Sequence, residues 1–159
     1  MSEKSALSQS QIADLIRGKN WRTGFRYCRY EHPFELSPLE ISVLTDNRIT
    51  VINDSLDLSQ DIFEALVRIK GLTIEGDLTF TESNIKWLEL ENLVIRDNLT
   101  LDSAVVEGEA KIINVKVGKR LNLLTKSGPK AIITTPESAQ YIHWATPNVP
   151  LILQYKEEE

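Results

Sequence analysis

The sequence predicts an all-β protein: a short right-handed parallel β-solenoid of about four turns and three faces, with an N-terminal capping α-helix and a small C-terminal cap. Three observations predict it. Four segments align without gaps, TVINDSLDL (50–58), LTIEGDLTF (72–80), LVIRDNLTL (93–101) and VKVGKRLNL (115–123), and their starts lie 22, 21 and 22 residues apart. Each reads apolar-x-apolar, three polar or small residues, then apolar-x-apolar, with Thr50 the sole polar residue in an apolar slot. A third apolar pair follows at nearly constant distance: Val67/Ile69, Leu88/Leu90, Ala110/Ile112 and Ala131/Ile133.

Alternation at period two marks a strand with one buried face. Pairs this short make no stable hairpins, and the joints between them hold no helix for βαβ crossovers. A coil remains, in which each strand pairs in parallel with its equivalent one turn away and the inward residues stack into a core no single turn could close. The outward positions fit such stacking. The third face gives Arg68, Glu89 and Lys111, Lys70 falls beside Glu91, Glu75 falls under Arg96, and the second face gives Asp57, Thr79, Thr100 and Asn122. Opposite charges on neighbouring strands help to set register. The segment 59–70 has two readings, since its Ile62, Phe63, Leu66 and Ile69 also suit one side of a helix. The preserved repeat length favours a solenoid face.

A coil exposes apolar core and free strand edges at both ends, and these need covers. Ser8 and Gln11 form a capping box, Leu7 and Ile12 stand at staple positions, and Gly18 suits the residue after the helix, which places a helix at about 9–17. At the other end Thr135-Pro136 is a helix start, with a short turn of helix through Tyr141 ending before Pro147. Val149 to Tyr155, interrupted by Pro150, reads as an edge strand, and the final KEEE as a disordered tail. Residues 1–49 are therefore an N-terminal helix and aromatic, basic capping segment, 50–133 the solenoid, and 134–159 a C-terminal cap with an acidic tail, forming one structural domain overall.

The formal charge is −5, with +3 over residues 1–34 and near −8 over the rest. An acidic body argues against nucleic acid, since phosphate affinity rests on Lys and Arg. The lone Cys28, the lack of a membrane-length apolar run and the polar N-terminus lead us to expect a cytoplasmic protein with no membrane association. The most unusual composition lies in WRTGFRYCRYEHPFELSP (21–38), where aromatic residues alternate with arginines. Trp21, Arg22, Arg26, Tyr27, Arg29 and Tyr30 are the residues expected to bind a partner, because Trp, Tyr and Arg anchor protein interfaces. The competing reading has the aromatic residues plug the open end of the coil while the arginines stay solvated.

Catalytic, metal or cofactor chemistry has little to stand on. Cys28, His32 and His143 make neither a convincing nucleophile–base pair nor a zinc set, and Asp54, Asp77 and Asp97, each a turn apart, read as solvated corners rather than a calcium cage. Gly76 and Gly118 at corners suggest positive φ angles, and no phosphate-loop or nucleophile-elbow motif occurs.

The run LTIEGDLTFTESNIKWLELENLVIRDNLTLDSAVVEGEAKI (72–112) resembles bacterial β-solenoid repeats in which I-x-G-D-L-x-L recurs about every turn. Bactofilins and the C-terminal domain of the division inhibitor MinC are similar in that broad sense, although glycine is sparser here and the repeat longer than in bactofilins. The resemblance implies a class of non-enzymatic scaffolds, polymers and protein binders. The expected function is a non-enzymatic protein-binding module, in one version a small inhibitor or immunity-like protein. The alternatives are a scaffold that self-assembles, a homodimer being its expected form, and, third, an enzyme.

Overall fold

The computed structural model describes residues 6–155, so the expected disorder of the KEEE tail falls outside the described residues. The chain forms a parallel β-solenoid of about five turns with a few short helices. Helix α1 (Gln9–Arg17) closes one end. Its Ser8 side chain accepts from the Gln11 N–H while the Gln11 side chain returns to the Ser8 N–H, the expected capping box, and Ile12, Ala13 and Ile16 are buried. The left-handed residue after the helix is Lys19, at φ 55, rather than Gly18.

The first turn holds β1 (Arg29–Tyr30), β2 (Phe34–Leu36), β3 (Val51–Ile52) and β4 (Leu56–Asp57), with helix α2 (Pro38–Thr45) between β2 and β3. The second holds β5 (Ile62–Lys70), β6 (Thr73–Ile74) and β7 (Leu78–Thr79), and the third β8 (Asn84–Ile95) and β9 (Leu99–Thr100). The fourth holds β10 (Val105–Val106), β11 (Ala110–Val117) and β12 (Leu121–Leu123); the fifth holds β13 (Ile132–Thr134), helix α3 (Pro136–Ala139) and β14 (Ile142–Ala145). Strand β15 (Leu151–Leu153) then starts another turn on top of β13. Parallel pairing thus starts at β1 and runs on to β15, through the segments assigned to the caps as well as 50–133.

Residues 62–70 are strand, which decides between the two readings of 59–70. Phe63, Val67 and Ile69 are buried and stack in register on Ile85, Leu88 and Leu90. Tertiary stacking overrides the helix propensity of this segment. The register shift between Phe63 and Leu66 also locates the variation in repeat length. Three residues lie between Phe63 and Val67, two between Ile85 and Leu88, and three again between Val106 and Ala110.

The predicted inward pairs form continuous columns, such as Leu56, Leu78, Leu99 and Leu121, or Leu36, Ile69, Leu90 and Ile112. The last turn is the exception, since Ile132 and Thr134 are inward there rather than the expected Ala131 and Ile133. Ile133 lies above the outward Lys111, and the Thr134 hydroxyl is satisfied by the Ile112 carbonyl. A fourth short pairing segment per turn went unrecognised: β1, the start of β5, the start of β8, and β10. Its inward residues include Asp61, Ser83 and Ala104, whose polarity or small size broke the apolar alternation. Two of the buried polar atoms are bonded within the column itself. Asp61 accepts from the Cys28 N–H at 2.8 Å, and the Ser83 hydroxyl donates to the Leu58 carbonyl at 2.5 Å.

Corners are left-handed at regular places. Gly71, Asn92 and Asn114 occupy one corner of successive turns, at φ 71, 52 and 52. Gly76 and Gly118 do not have positive φ, contrary to expectation; they are small because a Cβ at Gly118 would strike the Arg96 carbonyl and one at Gly76 the Ser55 side chain. Asparagine tolerates the left-handed region and β-branched residues do not, so Asn92→Val is expected to cost about 1–2 kcal/mol and Asn92→Gly close to nothing. Urea denaturation of both variants checks this, and equal midpoints would contradict it.

Outward charges pair as the stacking requires. Arg68 Nε lies 2.8 Å from Glu89 Oε2 and its Nη1 lies 3.5 Å from Glu35 Oε1, while Arg96 Nε lies 3.4 Å from Glu75 Oε2. These pairs are partly solvated and fix register more than they stabilise.

Candidate functional site

The basic, aromatic stretch at 21–38 is where a partner site was expected, and its residues divide into two groups. Trp21 is only 3 % exposed and stacks on Phe25 at 5.7 Å and 8°. Tyr30 is buried too, with its hydroxyl donating to the Phe25 carbonyl at 2.7 Å and its ring stacked on Phe63 at 4.9 Å. Burial, reinforced by the nearby Asp61 carboxylate, drives the Tyr30 phenol far above its ordinary value. These two side chains belong to a run of rings, with Phe25, Phe34, Phe63 and Phe80, that fills the lower end of the coil.

The arginines turn outward to carboxylates. Arg22 donates to Asp54 Oδ1 from Nη2 at 2.6 Å and from Nε at 3.0 Å, which holds the Asp54 carboxyl below the usual range. Arg26 lies 3.7 Å from Asp57, and Arg29 lies 2.9 Å from Glu31 and 3.7 Å from Glu64. Tyr27 is half-exposed at a left-handed corner, with the Arg26 guanidinium 5.3 Å from its ring centroid. The alternation of aromatic and basic residues is thus the alternation of an inner and an outer face. Substituting alanine at Trp21 or Tyr30 removes core, so a binding defect in such a variant carries no information about contact with a partner.

The other polar candidates are engaged locally. Cys28 Sγ donates to the Arg26 carbonyl at 3.2 Å, and His143, in the fifth turn, packs edgewise on Trp144 at 4.2 Å, several turns from Cys28 and His32. Asp77 accepts from Asn98, and Asp97 lies 3.3 Å from Lys119. Among the described residues, no group of three or more His, Cys, Asp and Glu side chains is placed to hold a metal ion. Nor is any helix of the described residues long and apolar enough to cross a membrane.

The two ends of the coil differ. Below β1 the Leu7 N–H donates to the Arg29 carbonyl and Ala6 bridges Arg29, so the first edge is covered before α1 begins. At the far end, α3 covers only one side: the Ser138 hydroxyl accepts from the Val115 N–H and Thr135 from the Asn114 N–H. Leu151 and Leu153 of β15 continue the inward columns of Ile132 and Thr134, yet they are 50 % and 39 % exposed. Nothing among the described residues lies over them. Trp144 on β14, in the outward position above Asn122, is 50 % exposed, and Ile152 and Tyr155 are exposed as well. This end thus presents an open core edge with an aromatic rim.

Charge distinguishes this end further. Residues 110–136 contain Lys111, Lys116, Lys119, Arg120, Lys126 and Lys130 and not one carboxylate, whereas residues 31–109 carry 17 carboxylates against five cations. Counted through Glu159, the chain from 110 onward is still +3. The signal was present in the sequence, but a bulk charge over everything beyond residue 34 averaged it away. Of the six cations, Lys119 alone makes an ion pair among the described residues.

A second concavity, a cleft of about 740 Å³, lies beside α2 and is lined by Leu36, Pro38, Leu39, Arg48, Arg68 and Lys70 among others. Leu39 and Val43 project from α2 into solvent. Helix α2 itself was legible and missed: Ser37 caps it, Pro38 is its first residue and Glu40 sits at the third position. The cleft is open and mixed in charge, with Arg68 already held by Glu35 and Glu89.

No family model matches the chain, and neither a curated protein nor a solved structure matches it.

Proposed function

We propose that this protein is a non-enzymatic protein-binding module that docks its partner on the open, C-terminal end of the solenoid. One observation carries the reading: Leu151 and Leu153 stand at inward core positions and are nonetheless half-exposed. At 50 % and 39 % exposure these leucines forfeit roughly half of a burial energy worth about 1.5–3 kcal/mol each. A surface held ready by five rigid turns recovers that energy when covered, at little cost in ordering. The likeness to bacterial β-solenoid repeats supports the same class of scaffold and binder. The basic, aromatic segment is the weaker candidate for the contact site, because Trp21 and Tyr30 are core and its arginines pair with carboxylates of the first two turns, which leaves Tyr27 as its exposed ring.

Site-directed photo-crosslinking in native extract tests the reading. A photoreactive side chain at Ile152 is expected to yield a discrete protein adduct, while the same group at Thr79, mid-coil, or at Leu39, beside the α2 cleft, yields none. Adducts from Leu39 alone, or equal adducts from all three positions, would overturn it.

A further inference from the structure

We infer that the occupant of the open end is an extended acidic segment of a partner protein, which adds to β15 as the next parallel or antiparallel strand. This rests on the binding-module reading and names its ligand chemistry. In a parallel ladder alternate residues of a strand bond to one neighbour. The Pro150 carbonyl and the Gln154 N–H bond to the turn below, so the N–H and C=O groups of Leu151 and Leu153 face away from the coil. Those same two residues present their side chains at the tops of the core columns. The end therefore offers free backbone donors and acceptors together with an apolar shelf, as strand addition requires.

Charge selects what can add. Lys130 lies one turn below Val149 by the register of β13 with β15, and Lys126 precedes it in the same turn. Lys111 lies beneath Ile133, two strands from Ile152. With strands about 4.8 Å apart, Lys130 lies about a Debye length from an added strand, and Lys111, about 14 Å away, adds a weaker, more screened contribution. Lys116 and Arg120 in the fourth turn extend the same field around the coil. A segment with carboxylates flanking a few β-prone residues meets both features.

A second copy of this chain fits neither way round. Head-to-tail stacking meets an edge already covered by residues 6–7 and α1. Tail-to-tail stacking brings the basic fourth and fifth turns of one copy against those of the other.

The test uses the full chain and a fluorescent peptide of about 12 residues, alternating valine and threonine in the middle and glutamate at both ends. Binding is expected, weakened about tenfold or more by exchanging the glutamates for lysines, by Lys126→Glu with Lys130→Glu, and by raising salt from about 50 mM to about 500 mM. Leu153→Lys should abolish it, and unchanged far-UV dichroism and melting would show that each variant folds. Equal affinity for the two peptides, no binding of either, or binding only to phosphatidylserine vesicles or to a single-stranded RNA of mixed sequence would each overturn the inference. So would a concentration-dependent dimer crosslinked through Ile152. A protein adduct at Ile152 without the acidic preference would sink the inference and leave the module reading standing.

Discussion

Replacing Phe63 with alanine is expected to remove about 3–5 kcal/mol of stability, the usual cost of truncating a buried aromatic side chain. Phe63 joins the plug to the coil. Its ring stacks on Tyr30 at 4.9 Å, meets Phe34 edgewise at 5.6 Å and Phe80 at 6.3 Å, and belongs to the second turn while Tyr30 and Phe34 belong to the first. No neighbouring side chain can collapse into the space, because each is fixed by its own place in a column. Domains of this size have about 5–15 kcal/mol in total, so the variant retains a fold but a marginal one. The damage should also be local. Turns of a solenoid contact chiefly their neighbours, so hydrogen-exchange protection should fall first over Arg29–Lys70 and persist over Leu99–Leu123. Urea denaturation with exchange mass spectrometry reads both effects. A loss below about 1 kcal/mol would mean the rings are loosely packed and do not close the lower end.

How much of this was legible in the sequence depends on which residues occupy the inward slots. Where both slots of a pair are apolar, as in Leu78/Phe80 or Val67/Ile69, period-two alternation located the strand and its register. In the run 131–133, apolar throughout, it set the inward pair one residue early, because inward Thr134 is polar. Where one slot is Asp61 or Ser83, the alternation failed and a whole pairing segment went unseen, although the backbone there pairs as regularly as elsewhere. Strand β5 shows the converse. Its helix-forming residues gave an ambiguous local signal, and the repeat length resolved it correctly. The candidate site was less legible, for a physical reason. Local composition reports that rings and arginines alternate, but only the fold says which face is inward. The open C-terminal end is a property of what lies above β15, which no pattern within Leu151–Leu153 encodes. Its basic surroundings were visible as a run from 110 to 136 without a carboxylate.

The asymmetry of the two ends follows from the same stacking rule. Each turn needs a neighbour on both sides to bury its inward residues and satisfy its strand edges. At the lower end six rings and α1 supply that neighbour from the chain itself, and the arginines fasten the plug to Asp54, Asp57 and Glu64. At the upper end α3 supplies it on one side only. On the reading proposed above, a half-covered end in a coil with a closed opposite end would direct assembly toward one foreign strand rather than a filament of copies.

The buried Tyr30 gives the plug an alkaline limit. In the unfolded chain a tyrosine releases its proton near pH 10, whereas in the fold the absence of water around the phenol, and then Asp61, hold the proton well beyond that. Above pH 10 the unfolded state therefore binds one proton fewer than the native state, so stability falls as pH rises, by about 1.4 kcal/mol one unit above the midpoint and by about as much again over the next. Below pH 10 both states are protonated and the contribution is constant. Tyr30→Phe separates this from the ionisation of other groups. It loses the hydrogen bond to the Phe25 carbonyl, which costs about 1–3 kcal/mol at neutral pH, but it has no phenol to ionise. The gap in unfolding free energy between wild type and Tyr30→Phe should accordingly narrow by about 1.4 kcal/mol between pH 8 and pH 11, measured in urea at constant ionic strength. A gap that stays constant would place the phenol in contact with water, and with it the plug ajar.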